Sequence, residues 1–212
     1  MFIHPWDAAL NDEEWRAWLA TTDHFGILAV NNLDPGKAPL VLPTHFSEVD
    51  GDILFHLARP NPVWPHLLAA QEVRLVVTGD YAFIPGYWRA DSDADVPTSY
   101  YASVQFVCTP TVVDDKQGKA DLLIAQMADF QPEGKHGEIA ADSGPYHRML
   151  SGIRGVRLKV LEVDAKFKYD DEESVHHRES VSAQLDARGH GLDARAATQQ
   201  RRRLAQIGVW KP

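Results

Sequence analysis

Apolar and polar positions change their period several times along the chain, and each change marks an element. Trp15, Trp18 and Leu19 fall at i, i+3 and i+4, the spacing of one helix face. Asn11 stands before them as a cap, with Glu14 three residues on as in a capping box. Phe25 to Val30 is then apolar and partly β-branched, and residues 31–37 are dense in turn formers, which predicts a strand and a turn. Leu40 to Phe46 and Ile53 to Ala58 read as two more strands, with a hairpin turn at Asp50-Gly51. Asn61 and Pro62 suit the start of a short helix through Trp64, Leu67 and Leu68.

Arg74 to Thr78 and Tyr81 to Ile84 read as strands on either side of a Gly79-Asp80 turn. Residues 85–98 form a long polar loop with an acidic centre, a length that in a compact domain often carries function. Tyr100 to Val113 is a long β run with a possible break at Pro110. Asp115 to Phe130 is a helix offering Leu122, Leu123, Ala125, Met127 and Phe130 to the core. Residues 131–144 read as loop, and Tyr146 to Leu150 as a helical turn. Val156 to Val163 alternates as a half-buried strand, with a further strand at Lys166 to Tyr169. Ser174 caps a helix to about Leu185, Gly189 and Gly191 interrupt it, and Ala194 to Ile207 forms the last helix.

Strands joined mostly by tight turns favour an antiparallel sheet, and few long crossovers argue against a doubly wound α/β fold. The expected class is mainly β with flanking helices (α+β), as a small barrel. The expected organisation is a barrel domain over residues 1–170 and a C-terminal helical extension over 171–212.

Composition narrows the classes. Of 212 residues 44 % are hydrophobic, enough for a core, and no apolar run reaches the roughly 18 residues of a membrane span. The opening MFIHPWDAALNDEEW has neither a basic nor an apolar signal region. Cys108 is the single cysteine, so an intrachain disulfide and a cysteine zinc cage are excluded, and a cytoplasmic location is expected. A net charge of -9 argues against DNA binding by phosphate neutralisation. The basic run Arg201-Arg202-Arg203 reads as a solvated helix face near a C-terminus. His176, His177 and Glu179 make a weak metal set, because adjacent helical histidines point apart.

The chemistry concentrates in residues 39–68. A hairpin delivers its second strand into Arg59, Asn61 and a helix start, where unpaired N–H groups, a forked cation and an amide suit an anion. An ordinary capped helix beside a surface arginine has the same pattern.

ILFHLARPNPVW at 53–64 resembles the PaiB-like FMN-binding negative transcriptional regulators. The resemblance extends in order along the chain. MFIHPW resembles the family's MYxPxxF opening, AFIPGYW its AYISPSWY, VPTSYYASVQF its VPTWNYVAVH, VVDD at 112–115 its VIDD, and GIRGVRLKVLEVDAKFK at 152–168 its late strand pair with a KxK run. The family is similar to flavin split barrels of the pyridoxamine-phosphate-oxidase type.

That resemblance implies a six-stranded antiparallel split β-barrel and a homodimer with FMN at the subunit interface. Pro43, Thr44 and His45 would face the isoalloxazine edge, and His56, Leu57 and Ala58 would line the other wall. Arg59 and Asn61 would reach the phosphate. Lys166 and Lys168 would add positive charge, and Tyr101 would stack on or hydrogen-bond the flavin.

Two departures stand out. KxKLSQN becomes KFKYDD, so Asp170 and Asp171 must point away from a phosphate or that end of the site is altered. Ser99 and Tyr100 replace a Trp and an Asn. The expected function is FMN binding. A flavin-dependent oxidoreductase is one alternative, and a barrel that has changed ligand to haem or a deazaflavin, with either His45 or His56 as an iron ligand, is another. No helix-turn-helix pattern supports direct DNA binding.

Overall fold

A computed structural model describes residues 1–88 and 96–211. Residues 89–95 of the predicted acidic loop thus lie outside the described residues. Gly86–Trp88 at the loop's start form a 3-10 turn.

The fold is a mainly antiparallel split barrel of the α+β class. Among the described residues the strands are β1 (Phe25–Val30), β2 (Leu40–His45), β3 (Ser47–Val49), β4 (Asp52–Ala58), β5 (Val73–Ile84), β6 (Thr98–Val113) and β7 (Ile153–Lys168). These seven form one sheet in the order β2-β1-β5-β6-β7-β4-β3, one strand more than expected. The helices are α1 (Asp12–Leu19), α2 (Trp64–Ala69), α3 (Lys116–Phe130), α4 (Val175–Arg188) and α5 (Asp193–Ile207). The chain divides into two compact units, one of residues 23–77 and 105–163, the other of residues 1–22, 78–104 and 164–212.

All seven strands contribute to the first unit. The additional strand is β3, which pairs with β4 through Ser47↔Leu54 and Val49↔Asp52. Only Phe46 separates β2 from β3, yet they stand at opposite ends of the sheet order. The two edges are therefore covalent neighbours, and the sheet curls back on itself there. Phe46 is fully buried and its N–H donates to the His24 carbonyl at 2.9 Å. Leu28, Val30, Phe55, Leu75, Phe106, Val156 and Leu158 fill the interior, and each fully buried side chain of this size is worth about 1.5–3 kcal/mol.

Helix α3 covers β3 and β4. Its buried residues are Lys119, Ala120, Leu122 and Gln126, not the all-apolar set that hydropathy favours. The helix thus turns two polar side chains inward, and Phe130 stays exposed. Gly155 allows the close packing. A Cβ there would lie 2.8 Å from Leu122 Cδ1 and 3.2 Å from Val113 Cβ.

In the second unit, α1 is capped as the sequence predicts. Asn11 Oδ1 accepts from the Glu14 N–H at 3.0 Å, and Glu14 Oε2 accepts from the Leu10 N–H at 2.7 Å. Ser174 caps α4 by accepting from the His177 N–H. Strand β5 runs unbroken through Gly79-Asp80, where the sequence suggests a turn. Asp80 takes φ 52°, and its buried carboxylate accepts from Trp18 Nε1 at 2.8 Å and Arg195 Nε at 2.6 Å. Those distant bonds hold the bend inside the strand. Likewise β6 continues through Pro110, and β7 is a single strand of 16 residues.

The basic run is a solvated face only at Arg201, and Arg203 turns inward. Arg203 is 1 % exposed, and every nitrogen of its guanidinium is bonded. Nε donates to Asp171, Nη1 to Glu14 at 2.8 and 3.0 Å, and Nη2 to the carbonyls of Trp6 and Ala8 at 3.1 Å each. Arg202 pairs with Glu14 at 2.7 Å and Arg201 with Asp186. The acidic departure from the KxK pattern is spent here too. Asp171 also pairs with Arg178, which is fully buried, and Asp170 accepts from the Tyr100 hydroxyl at 3.2 Å. His177 faces Asp170 at 3.4 Å, and among the described residues no cluster of three or more His, Cys, Asp or Glu side chains suits a metal ion. No helix among the described residues is long and apolar enough to cross a membrane.

Candidate functional site

The sequence-predicted residues divide between the two units. In the first, the end of β2 and the outer half of β4 bring two histidines together. The ring of His45 lies 5.6 Å from that of His56, at 79°, and 5.2 Å from that of Phe130 on α3. Alternation puts His45 and Pro43 on the exposed face of β2, while Thr44 is buried and its hydroxyl donates to the His45 carbonyl at 3.0 Å. Burial lowers the pKa of His45, and the neighbouring His56 lowers it further, so its imidazole is neutral near pH 7.

His56 Nδ1 meets Gln126 Oε1 at 2.6 Å. An amide oxygen only accepts, so Nδ1 is the donor and Nε2 is the ring nitrogen left for another partner. Gln126 is 3 % exposed, and its Nε2 has no hydrogen-bond partner. A buried amide donor left open suits an acceptor on a ligand, because leaving it unsatisfied is costly. Gln126 escapes sequence reasoning because helical periodicity favours apolar residues for the buried face.

Further along β4, Leu57 is half-buried and Ala58 exposed, and they pair across to Arg154 and Ile153 of β7. The ladder carries past the strand, since the Arg59 N–H donates to the Gly152 carbonyl at 2.8 Å. The Arg59 guanidinium donates through Nε to the Ser151 carbonyl at 2.7 Å and through both Nη atoms to Asp114, at 3.3 and 2.5 Å. Arg154 Nε also reaches Asp114, at 3.0 Å, and Lys119 Nζ lies 3.6 Å away. Asp114 is held below the usual carboxylate range, first by the Arg59 hydrogen bond and then by the charges of Arg154, Arg59 and Lys119.

Asn61 Oδ1 accepts from the Val63 N–H at 3.0 Å, and helix α2 begins only at Trp64. Asn61 therefore closes a turn ahead of the helix. Arg154, Lys119 and Asp114 are functional candidates that the sequence did not single out. Asp114 belongs to the VVDD run, but nothing local links it to two distant cations.

In the second unit the structure brings Lys166 and Tyr101 together, with Nζ 5.7 Å from the ring centroid. Lys166 is nine-tenths buried, donates to the Phe2 carbonyl at 3.2 Å and lies 3.4 Å from Asp7. Burial raises the pKa of Asp7 against the opposing effect of Lys166. Lys168 donates to the Thr98 hydroxyl and to the Ser99 carbonyl at 3.1 Å. Both lysines are thus engaged with the chain's own groups.

The same unit holds a cleft of about 670 Å³ lined by Glu14, Trp18, Asp80, Arg195 and Arg202. Its cations are paired within the cleft, Arg195 with Asp80 and Arg202 with Glu14, and Glu13 adds a further negative charge, which makes it a poor anion site.

No curated protein matches the chain in sequence. Solved structures share the fold. A "putative 5-nitroimidazole antibiotic resistance protein" from Bacteroides thetaiotaomicron superposes with TM-score 0.59 at 11 % identity, covering 75 % of this chain and 85 % of its own. The flavocytochrome Anf3 from Azotobacter vinelandii gives 0.59 at 17 % identity over 77 % and 70 %. The FAD and heme binding protein from Mycobacterium smegmatis gives 0.59 at 16 % identity over 84 % and 80 %. At these identities the likeness carries the fold alone. The family model described as "Putative FMN-binding domain" matches residues 1–162. The chain belongs to this FMN-binding family, and FMN is its cofactor.

Proposed function

We propose that this protein is an FMN-binding module of the PaiB-like type, working as a homodimer with its flavin at the subunit interface. One observation carries the placement: β2 and β4 converge so that His45 and His56 stand 5.6 Å apart, and β4 runs directly on into Arg59 and Asn61. Pro43, Thr44, His45, His56, Leu57 and Ala58 then border the isoalloxazine, and Arg59 and Asn61 serve the phosphate. The residues present fit that group. The cations around Asp114 outnumber it by two, and the open Gln126 amide donor stands behind His56. Tyr101, Lys166 and Lys168 lie in the other unit, where the two lysines hold the N-terminal segment and the start of β6, and the reading assigns them to the flavin of the partner subunit.

A second copy suits the outer face of β1 and β2. Phe25, Ile27 and Val41 are exposed there, and the register sets Phe25 beside His45 and Ile27 beside Pro43. A contiguous exposed apolar face marks an interaction surface, and this one borders the proposed flavin edge.

FMN supplies hydride and one-electron chemistry when bound. The protein's share is to orient the flavin and to hold the neutral His45 imidazole at its edge, which suits redox turnover of a small molecule. Any effect on transcription is then indirect. Arg201, Arg202 and Arg203 each engage a carboxylate, so this run does not offer the free row of cations that DNA binding requires. Sequence-selective nanomolar binding to the protein's own promoter in a gel shift would overturn that part.

A haem reading draws on the same two histidines, because His45 is neutral and His56 presents Nε2, as an iron ligand must. The visible spectrum of the purified protein decides between them. Flavin bands are expected, and a Soret band in their place would refute the FMN reading.

A further inference from the structure

Asp114, just after β6, is the meeting point of three cations from three separate elements. Arg59 follows β4, Arg154 lies on β7 and Lys119 lies in the first turn of α3. Arg59 makes a two-pronged contact at 3.3 and 2.5 Å, Arg154 donates at 3.0 Å and Lys119 stands at 3.6 Å. Among the described residues no second carboxylate pairs with any of the three.

The group thus carries a surplus of two positive charges. Its cations are held in place. Arg59 Nε is anchored on the Ser151 carbonyl, Arg154 lies 5.6 Å over the Trp64 ring, and Lys119 is 3 % exposed. The Asp114 side chain is 40 % exposed, so it can turn into water with little disturbance. A phosphate monoester carries about -1.5 to -2 at pH 7 and accepts forked hydrogen bonds from Arg, which matches both the surplus and the donor geometry.

We propose that Asp114 is the internal occupant of a phosphate-monoester site built by Arg59, Arg154 and Lys119, and that it sets how strongly the protein prefers a phosphorylated flavin to an unphosphorylated one. The proposal rests on the FMN reading above and adds two binding residues and a competitor. A ligand phosphate takes over the Arg59 and Arg154 donors, and the carboxylate swings outward. What remains of its charge opposes the phosphate, so removing that charge tightens binding.

Flavin fluorescence titrations with FMN and with riboflavin test this on the wild type, Asp114→Asn and Arg154→Gln. Asp114→Asn should tighten FMN about tenfold and Arg154→Gln should weaken it about tenfold, each the size of one charge-assisted hydrogen bond. Riboflavin should move less than about twofold, since the change involves no contact to the ring. Weaker FMN binding in Asp114→Asn, or equal shifts for the two flavins, overturns the proposal while leaving flavin binding intact. If neither flavin binds any of the proteins, the FMN reading falls, and the site is judged by inorganic phosphate alone. A thermal midpoint raised by phosphate, and raised further in Asp114→Asn, sustains the site; no rise in either protein overturns it.

Discussion

Replacing Arg203 by Ala should be among the most damaging single changes in the chain, although its neighbour Arg201 should be nearly indifferent. Arg203 joins α5 to α1 through Glu14, to the turn after β7 through Asp171, and to the N-terminal segment through the carbonyls of Trp6 and Ala8. Both carboxylates are buried. Removing the arginine leaves Asp171 with Arg178, and Glu14 with Arg202, while two carbonyls lose their donor. Breaking a buried ion pair from one side costs about 3–5 kcal/mol, a large share of the 5–15 kcal/mol that typically separates folded from unfolded chains. With a urea slope of about 2–3 kcal/mol/M, the midpoint should fall by about 1–2 M.

Arg201 offers the control. Its pair with Asp186 is about half exposed on both sides, and such pairs contribute about 0–1 kcal/mol. Urea unfolding followed by tryptophan fluorescence measures both variants. A loss below about 1 kcal/mol for Arg203→Ala, or no difference from Arg201→Ala, would refute the reasoning that this network holds the terminal helices.

Other expectations follow from the site and the core. Arg59→Ala should weaken FMN binding by about 1.5–3 kcal/mol, the worth of a hydrogen bond to a charged group, and an unchanged quenching titration would contradict the phosphate placement. Sedimentation at micromolar concentration should give twice the chain mass, and Ile27→Asp, which puts a charge on the exposed β1–β2 face, should give a monomer; a monomeric wild type that binds FMN tightly would dismiss the shared site. Cys108 is fully buried, and burial, aided by the charge of Asp52, pushes its thiol up to about 12. It should therefore resist a disulfide reagent at pH 8 until the protein is unfolded. Asp114 is an acid with a depressed pKa, so its contribution to stability is present above its ordinary value of 3.8 and lost as pH falls through its lower folded value. Asp114→Asn should accordingly flatten the acid limb of a stability curve, and an unaltered limb would show that the cation cluster does not hold it.

Much of this fold was legible locally. The caps at Asn11 and Ser174, the turn at Asp50-Gly51 with its two positive φ angles, and the alternation of Val156 to Val163 all appear where the sequence puts them. Each depends on residues a few positions apart, where backbone geometry and side-chain period leave their mark. The β3 strand did not show as a separate element, because Phe46 continues the apolar run of β2 and only the closing of the sheet separates the two. Gly79-Asp80 carries every local mark of a turn, yet Trp18 and Arg195 hold it within β5, at separations of 62 and 115 residues.

The candidate site divides in the same way. Residues 39–68 drew attention because a hairpin, a cation and a helix start follow one another in the chain. What the tertiary structure decided was the company they keep: Asp114 for Arg59, Gln126 for His56, and Asp7 for Lys166. It also decided that three consecutive arginines have three fates. Arg203 is buried and finds Glu14 across 189 positions, while Arg201, two residues earlier and on nearly the opposite face of the same helix, meets solvent and Asp186. Helical phase turns neighbouring residues about 100° apart, and ion pairs have no sequence period, so the chain fixes its strands and caps by itself, whereas only the packed structure selects which charges become buried partners.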